Sequence, residues 1–476
     1  MKRLAAALLV LGCSKAAPKP APDSTFLWGT ATAAHQVEGG LHENDFWQWQ
    51  QRGKITDGSS ADDGPDSWRR FEDDLALMAA QGHTAYRFSI EWSRVEPREG
   101  AWDEVALARY GQMLDLMAGA RITPMVTLIH YTLPVWVHDL NALDARPGWR
   151  GLPSEAIGKA AIVGRAARYA GEMARRFGDR VDWWVTLNEP TVVAGGGWGT
   201  GELPPGRILD FAGLQRAAGN QIHAHAAMTD AIRANDRVAR VSIAQHLRVF
   251  VPKDPSSAAD VRGAGQVQRV FNDLFLDACA RGDLDLDFDG KFEKPGEGRG
   301  LPALAGRLDF VGINYYSRSV VVGTDIGDQE TGIRLFGWAS ENENPAVPHN
   351  DLGWEIYPQG LHDLIRYVWA RYELPIVVTE NGVSEPGDEL RPRFLVDHIL
   401  AVQQAMREGA DVRGYLHWSL IDNFEWNRGY TARFGLASVD RASPTRTRTP
   451  RGSAGLYSRI IASHGVTPEI AASVGR

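Results

Sequence analysis

The sequence predicts an α/β fold made of a single closed parallel barrel, the (β/α)8 or TIM barrel. Three observations carry that prediction. Eight runs of strand-forming residues recur along the chain, amphipathic stretches of helical period separate them, and no linker interrupts the alternation after residue 22. Strands that alternate with helices pair in parallel, and eight such units close on themselves.

The strand candidates, in order, are Phe26–Gly29, Ala85–Ile90, Thr123–Ile129, Val181–Leu187, Val241–Gln245, Phe310–Asn314, Ile376–Glu380 and Gly414–Trp418. Each is short, rich in β-branched and aromatic residues and bounded by polar or glycine-containing segments, as buried parallel strands are. Ser67–Ala80, Val105–Ala118, Ser154–Phe177, Phe211–Asn235, Leu361–Tyr372 and Arg393–Glu408 carry apolar residues at helical spacing and are predicted helices. Residues 23–476 read as one catalytic-size domain, and 1–22 as a leader with a Pro-rich tether.

A barrel of this kind presents its chemistry at the carboxyl ends of the strands. Glu189 follows the fourth strand in Thr186-Leu187-Asn188-Glu189-Pro190, and Glu380 ends the seventh in Val378-Thr379-Glu380-Asn381-Gly382. His130 follows the third, Asn314 ends the sixth and Trp418 ends the eighth. Two carboxylates delivered to one barrel mouth are the minimal equipment for cleaving a glycosidic bond.

The formal net charge is −8, and no basic patch stands out, which excludes a nucleic-acid partner. Two cysteines, Cys13 and Cys279, build no disulfide framework, and no Cys/His cluster has zinc spacing. Neither a metal nor a cofactor is expected. Cys279 sits in the helical run 268–280 and reads as a buried thiol. At the amino terminus Met1-Lys2-Arg3 is a charged start, residues 4–12 are apolar, and Cys13 follows Gly12. The apolar run is too short to span a bilayer. It resembles a bacterial lipoprotein signal, which implies an exported, periplasmic or cell-surface protein attached to membrane through lipidated Cys13. A cleaved secretion signal and a cytoplasmic tail are the alternatives.

The chain resembles glycoside hydrolase family 1, the β-glucosidase and β-galactosidase family. The resemblance runs from about Phe26 to Asp440 and rests on seven ordered segments: 26–40, 86–94, 186–190, 312–317, 353–358, 379–382 and 418–426. It implies a retaining β-glycosidase whose partner is a small β-glycoside. Glu189 matches the acid/base and Glu380 the nucleophile, with carboxyls about 5–5.5 Å apart. Arg87 and Tyr316 match the supports of that nucleophile. Gln36, His130, Asn188, Asn314, Glu425 and Trp426 match positions that bind the sugar, Trp418 the platform under its ring, Phe434 the closure of its pocket, and Trp354 the leaving-group side. The acid/base needs a raised pKa and the nucleophile a low one. Glu425 would repel a 6-phosphate, and the phosphate-binding serine and lysine of the 6-phospho branch are absent from residues 425–430.

One departure stands out. The histidine after the third strand is usually followed by tryptophan, and here Tyr131 stands there. The exchange is expected to alter the shape near the sugar 3-position. Asp285, Asp287, Asp289 and Gly290 have calcium-loop spacing, but the twelfth position is Gly296 in place of glutamate, so the run reads as a solvated loop. Gly195–Gly199 reads as a pocket-rim loop. Glu189 itself argues against thioglycosidases, which carry glutamine there. A transglycosylase would use the same residues, and a sugar-binding lipoprotein without turnover is the reading from another class.

Overall fold

The computed structural model describes residues 26–476. Its centre is a closed barrel of eight parallel strands, Leu27–Ala31, Ala85–Ser89, Thr123–Ile129, Trp183–Asn188, Arg240–His246, Val311–Tyr315, Ile376–Asn381 and Val412–Trp418. They pair in chain order, and the first closes against the eighth through the register Leu27 to Gly414 and Ala31 to Trp418. All eight expected strands are present, with ends shifted by at most two residues.

Burial explains why these segments are strands. Every residue of five of them is buried, so neither face alternates with solvent. Leu27, Ala85, Met125, Trp183, Val185, Ala244, Phe310, Val377 and Leu416 form a cluster contributed almost wholly by the strands. That plug makes the barrel a packed core with one working end. Gly29 allows the first two strands to approach, since a Cβ there would lie 1.8 Å from the Ala85 carbonyl oxygen.

Helices wrap this core with their apolar faces inward. Glu104–Gly119 starts where Asp103 accepts from the backbone N–H groups of Val105 and Ala106, and Phe211–Asn235 starts where Asp210 accepts from Gly213. Such caps satisfy donors that the first helical turn leaves free. The helix expected over 154–177 begins only at Ala161. Gly158 holds φ +76° and Ala160 is extended, so the backbone there cannot continue a helix. The run 268–280 is broken as well: a π-turn over Arg269–Asp273 precedes the helix Leu274–Arg281, where Cys279 is buried. Gly195–Gly199 is likewise a π-turn continuing the short helix Pro190–Ala194, where a loop was expected.

Two small sheets lie outside the expected pattern. Val249–Pro252, Arg318–Gly327 and Arg334–Glu341 form a three-stranded sheet, inserted after the fifth and sixth barrel strands at their carboxyl ends. Ala437–Val439 pairs with Arg448–Pro450. The acidic loop departs from its expectation in part. Asp287 is buried, and one oxygen from each of Asp285, Asp287 and Asp289 lies within 4.8 Å of the others. Burial and neighbouring carboxylates raise Asp285 to about 7. Among the described residues no helix is long and apolar enough to cross a membrane. Cys13 and the leader lie outside the described residues.

Candidate active site

The carboxyl ends of the barrel strands open into a cavity of about 870 Å³, which Glu189 and Glu380 both line. The seventh strand carries Glu380 into the mouth between the second and sixth strands. Arg87, projecting from the second strand, donates from Nη1 to Glu380 Oε1 at 2.6 Å and from Nη2 to Asn188 Oδ1 at 2.6 Å. Its Nε donates to Thr127 on the third strand at 2.9 Å. One guanidinium fork therefore ties four strands together, a geometry that arginine supplies and lysine does not. On the other oxygen, Tyr316 donates its hydroxyl to Glu380 Oε2 at 2.6 Å.

Glu189 sits where the fourth strand turns into Pro190–Ala194. Its φ of 46° is left-handed, and two neighbours in the pocket, Tyr131 (φ 71°) and Trp426 (φ 47°), share that conformation. Each such non-glycine residue costs about 1–3 kcal/mol, and their clustering in one cavity marks a site over-determined by its surroundings. Asn314 donates to Glu189 Oε1 at 2.8 Å and to Asn188 Oδ1 at 3.0 Å, while Thr379 donates to Asn314 Oδ1 at 2.7 Å. Asn188 in turn pairs through Nδ2 with His130 Nε2 at 2.9 Å. Arg87, Asn188 and Asn314 so form one buried network between the two glutamates.

The remaining predicted residues gather on the same wall. Gln36 Nε2 donates to Phe424 O at 2.9 Å, Asn423 Oδ1 at 3.1 Å and Glu425 Oε2 at 3.4 Å. His130 stacks near both Trp418 and Trp426, with ring centroids 5.9 and 6.0 Å away. Tyr316, Trp354 and Phe434 contact one another at 5.7–6.1 Å. Two polar atoms here, His130 Nδ1 and Gln36 Oε1, are buried without a hydrogen-bond partner. Buried polar groups are otherwise almost always satisfied, so these are places for a polar ligand to complete. All thirteen predicted site residues of the barrel end converge; Cys13 lies outside the described residues.

Tyr131 makes a contact that the sequence reading did not include. Its hydroxyl donates to Glu189 Oε2. Its ring lies 4.6 Å from that of Trp426. His246, at the end of the fifth strand, was missed. Its Nδ1 lies 3.6 Å from Glu189 Oε1. The sequence did contain the signal: Gln245 and His246 are polar residues closing a barrel strand, the same clue that pointed to Glu189 and Glu380.

Electrostatics follow from this packing. Burial raises Glu380, and the charge of Glu189 adds to that, against the pull of Arg87 and Tyr316. Burial would raise Glu189 too, but the facing His246 and the hydrogen bonds from Tyr131 and Asn314 outweigh it and hold its carboxyl below the usual range. This ordering reverses the one expected from sequence, since the expectation did not include His246. Burial, reinforced by Glu380, pushes Glu425 up to about 8. His130 is held well below its ordinary value by burial and by Arg87, so it is a neutral imidazole.

The profile of glycosyl hydrolase family 1 matches residues 19–466. The chain belongs to glycosyl hydrolase family 1. Within the family it is 32% identical to the beta-galactosidase of Pyrococcus woesei, an alignment covering 94% of this chain and 98% of that protein. It is also 32% identical to beta-glucosidase A of Thermotoga maritima, over 93% and 98% of the two chains. Among solved family 1 structures, the beta-glycosidase from Pyrococcus horikoshii superposes with a TM-score of 0.81 at 31% identity, covering 97% and 99%. The family 1 β-glucosidase from Thermotoga maritima does so with 0.81 at 30%, covering 93% and 98%. The barrel expected from sequence is the barrel of this family.

Proposed function

We propose that this family 1 glycosidase is a retaining β-glycosidase of β-glucosidase type, releasing terminal non-reducing β-D-glycosyl residues by double displacement. The observation that carries the reading is the pairing of two buried glutamates across one cavity, with Glu380 gripped by a permanent cation at 2.6 Å and Glu189 by neutral donors. A guanidinium at that distance holds the negative charge on Glu380 more firmly than an imidazole 3.6 Å away holds it on Glu189. The reaction needs the shared proton of the pair on Glu189, an order that the Arg87 contact favours and that the burial of Glu380 and the His246 facing Glu189 oppose. Glu380 attacks the anomeric carbon while Glu189 protonates the departing oxygen. Glu189 then takes a proton from water as the glycosyl–Glu380 ester is hydrolysed.

Gln36, His130, Asn188, Glu425 and Trp426 hold the sugar hydroxyls, and Trp418 lies under the ring. The two unpartnered atoms, His130 Nδ1 and Gln36 Oε1, accept or donate to those hydroxyls. Phe250, Phe271, Leu335, Trp338, Leu352 and Trp354 make the outer cavity largely apolar. Such a wall suits an aromatic or alkyl leaving group, because apolar contact needs no matched hydrogen bonds. The test is hydrolysis of aryl β-glucoside, β-galactoside, β-fucoside and β-6-phosphoglucoside. Turnover is expected on at least one unphosphorylated glycoside and none on the 6-phosphate, since Glu425 is placed at the 6-position in this reading and residues 425–430 lack the phosphate-binding serine and lysine. Efficient turnover of the 6-phosphate, or sugar binding with no turnover of any glycoside, would defeat the reading. Alcohol acceptors added to the same assay separate hydrolysis from transglycosylation.

We also keep residues 1–22 as an export leader of lipoprotein type, with Cys13 as the lipidated residue. Its support is the charged start, the short apolar run and the Pro-rich tether. Mass spectrometry of the mature amino terminus should find a diacylated peptide beginning at Cys13; an intact Met1 would refute it.

A further inference from the structure

We propose that Tyr131 and His246 are a positioning pair for Glu189, holding its carboxyl from both sides and governing when that carboxyl carries a proton. The inference rests on reading Glu189 as the acid/base. Each carboxylate oxygen has its own guard: Tyr131 hydroxyl donates to Oε2, and His246 Nδ1 faces Oε1 at 3.6 Å beside the Asn314 amide.

The imidazole is oriented from behind. Arg248 donates from Nε to His246 Nε2 at 3.3 Å, so that nitrogen is the acceptor and Nδ1 carries the proton that faces Glu189. Arg248 is itself pinned, donating from Nη1 to Glu341 Oε1 at 2.9 Å and to Ser319 Oγ at 2.8 Å. Both anchors belong to the three-stranded sheet that the sequence did not foretell. That insertion is thereby connected to the acid/base through Glu341, Arg248 and His246 in series.

On the opposite side the left-handed backbone of Tyr131 fixes the phenol, and its ring is seated against Trp426. The other charged or titratable groups acting on Glu189 come from the remaining strands. Arg87 and His130 stand behind Asn188, while Glu380, Tyr316 and Glu425 lie across the cavity. None of them donates a hydrogen bond to the Glu189 carboxylate. Donation to the ionised carboxylate therefore rests on Tyr131 and Asn314, with His246 adding its field.

Both groups favour the charged form of Glu189. Removing either makes the carboxyl hold its proton to higher pH, so the alkaline limb of kcat/KM must move upward. Tyr131→Phe and His246→Asn are each measured on an aryl β-glucoside across pH, alongside thermal unfolding and Glu189→Ala. The expected result is an upward move of the limb by about one pH unit in Tyr131→Phe, the equivalent of one charge-assisted hydrogen bond, and a smaller upward move in His246→Asn, which removes a field and not a hydrogen bond. A variant that loses kcat while the limb stays put would show a merely structural or substrate-binding residue and overturn the proposal. If the limb persists in Glu189→Ala, the failure lies with the acid/base reading itself. His246→Asn tests the pair independently should Tyr131→Phe unfold.

Discussion

Glu380→Ala should abolish turnover, with kcat falling on the order of 10⁶-fold, the scale reached when a nucleophile working as part of a unit is removed. Two physical effects combine. The anomeric carbon loses its attacking oxygen, and Arg87 loses the partner of a side chain that is wholly buried. Leaving one member of a buried ion pair costs about 3–5 kcal/mol, so the variant should also melt at lower temperature. Azide resolves the two effects. It is a small anion that fits the space left beside Arg87, so it can occupy the position of the lost carboxylate and attack the same carbon. Restored turnover that yields the α-glycosyl azide identifies a single displacement where two occurred before. Normal turnover in the alanine variant, or rescue with the β-azide, would remove Glu380 from its proposed role.

The second large effect belongs to Glu189→Ala. General acid–base catalysis contributes about 10²–10⁴-fold, and the loss should approach the upper figure for alkyl β-glucosides. For dinitrophenyl glycosides, whose leaving group needs no proton, formation of the glycosyl-enzyme should persist and its hydrolysis should become slow. The sign of the pH effect follows from the same assignment. Glu189 must be protonated for the first step, so wild-type activity falls as pH rises through its titration, and that alkaline limb should vanish in the variant. Azide should here give the β-glycosyl azide, because it attacks the intermediate from the face where water entered. Equal losses on alkyl and dinitrophenyl substrates would show that Glu189 supports structure and is not a proton donor.

Much of this molecule was legible because barrel strands announce themselves. Ile376-Val377-Val378-Thr379 is a continuous β-branched run, and burial of every residue of Ile376–Asn381 leaves it no other structure. Helix ends were less legible. The boundary at Ala161 is governed by Gly158 and its positive φ, a backbone state that composition hints at but does not prescribe. The three-stranded sheet escaped because its strands are part-exposed and lie outside the regular alternation, so their pattern is neither a buried run nor a clean period of two. Its antiparallel pairing of Val320 with Ser340 becomes visible only when the chain folds back.

The site divides in the same way. Glu189, Glu380, Asn314 and Trp418 could be placed from sequence because position along a strand decides which end of the barrel a residue occupies. Arg87, Tyr316 and Gln36 came from the family resemblance; their spacing alone does not point to the cavity. The Tyr131 contact with Glu189 was not legible, and of His246 the sequence showed only its place at the end of a barrel strand, not its approach to Glu189.

By itself, then, the sequence determined the barrel, the end of it that bears the chemistry and the two carboxylates delivered there, since strand burial and strand polarity are local properties written along the chain. Only the tertiary structure decided which donors face each carboxylate. Hydrogen bonds between residues such as Tyr131 and Glu189, or the Arg248–His246 contact, depend on side-chain directions across separate strands, and those are set by packing and by left-handed backbone turns.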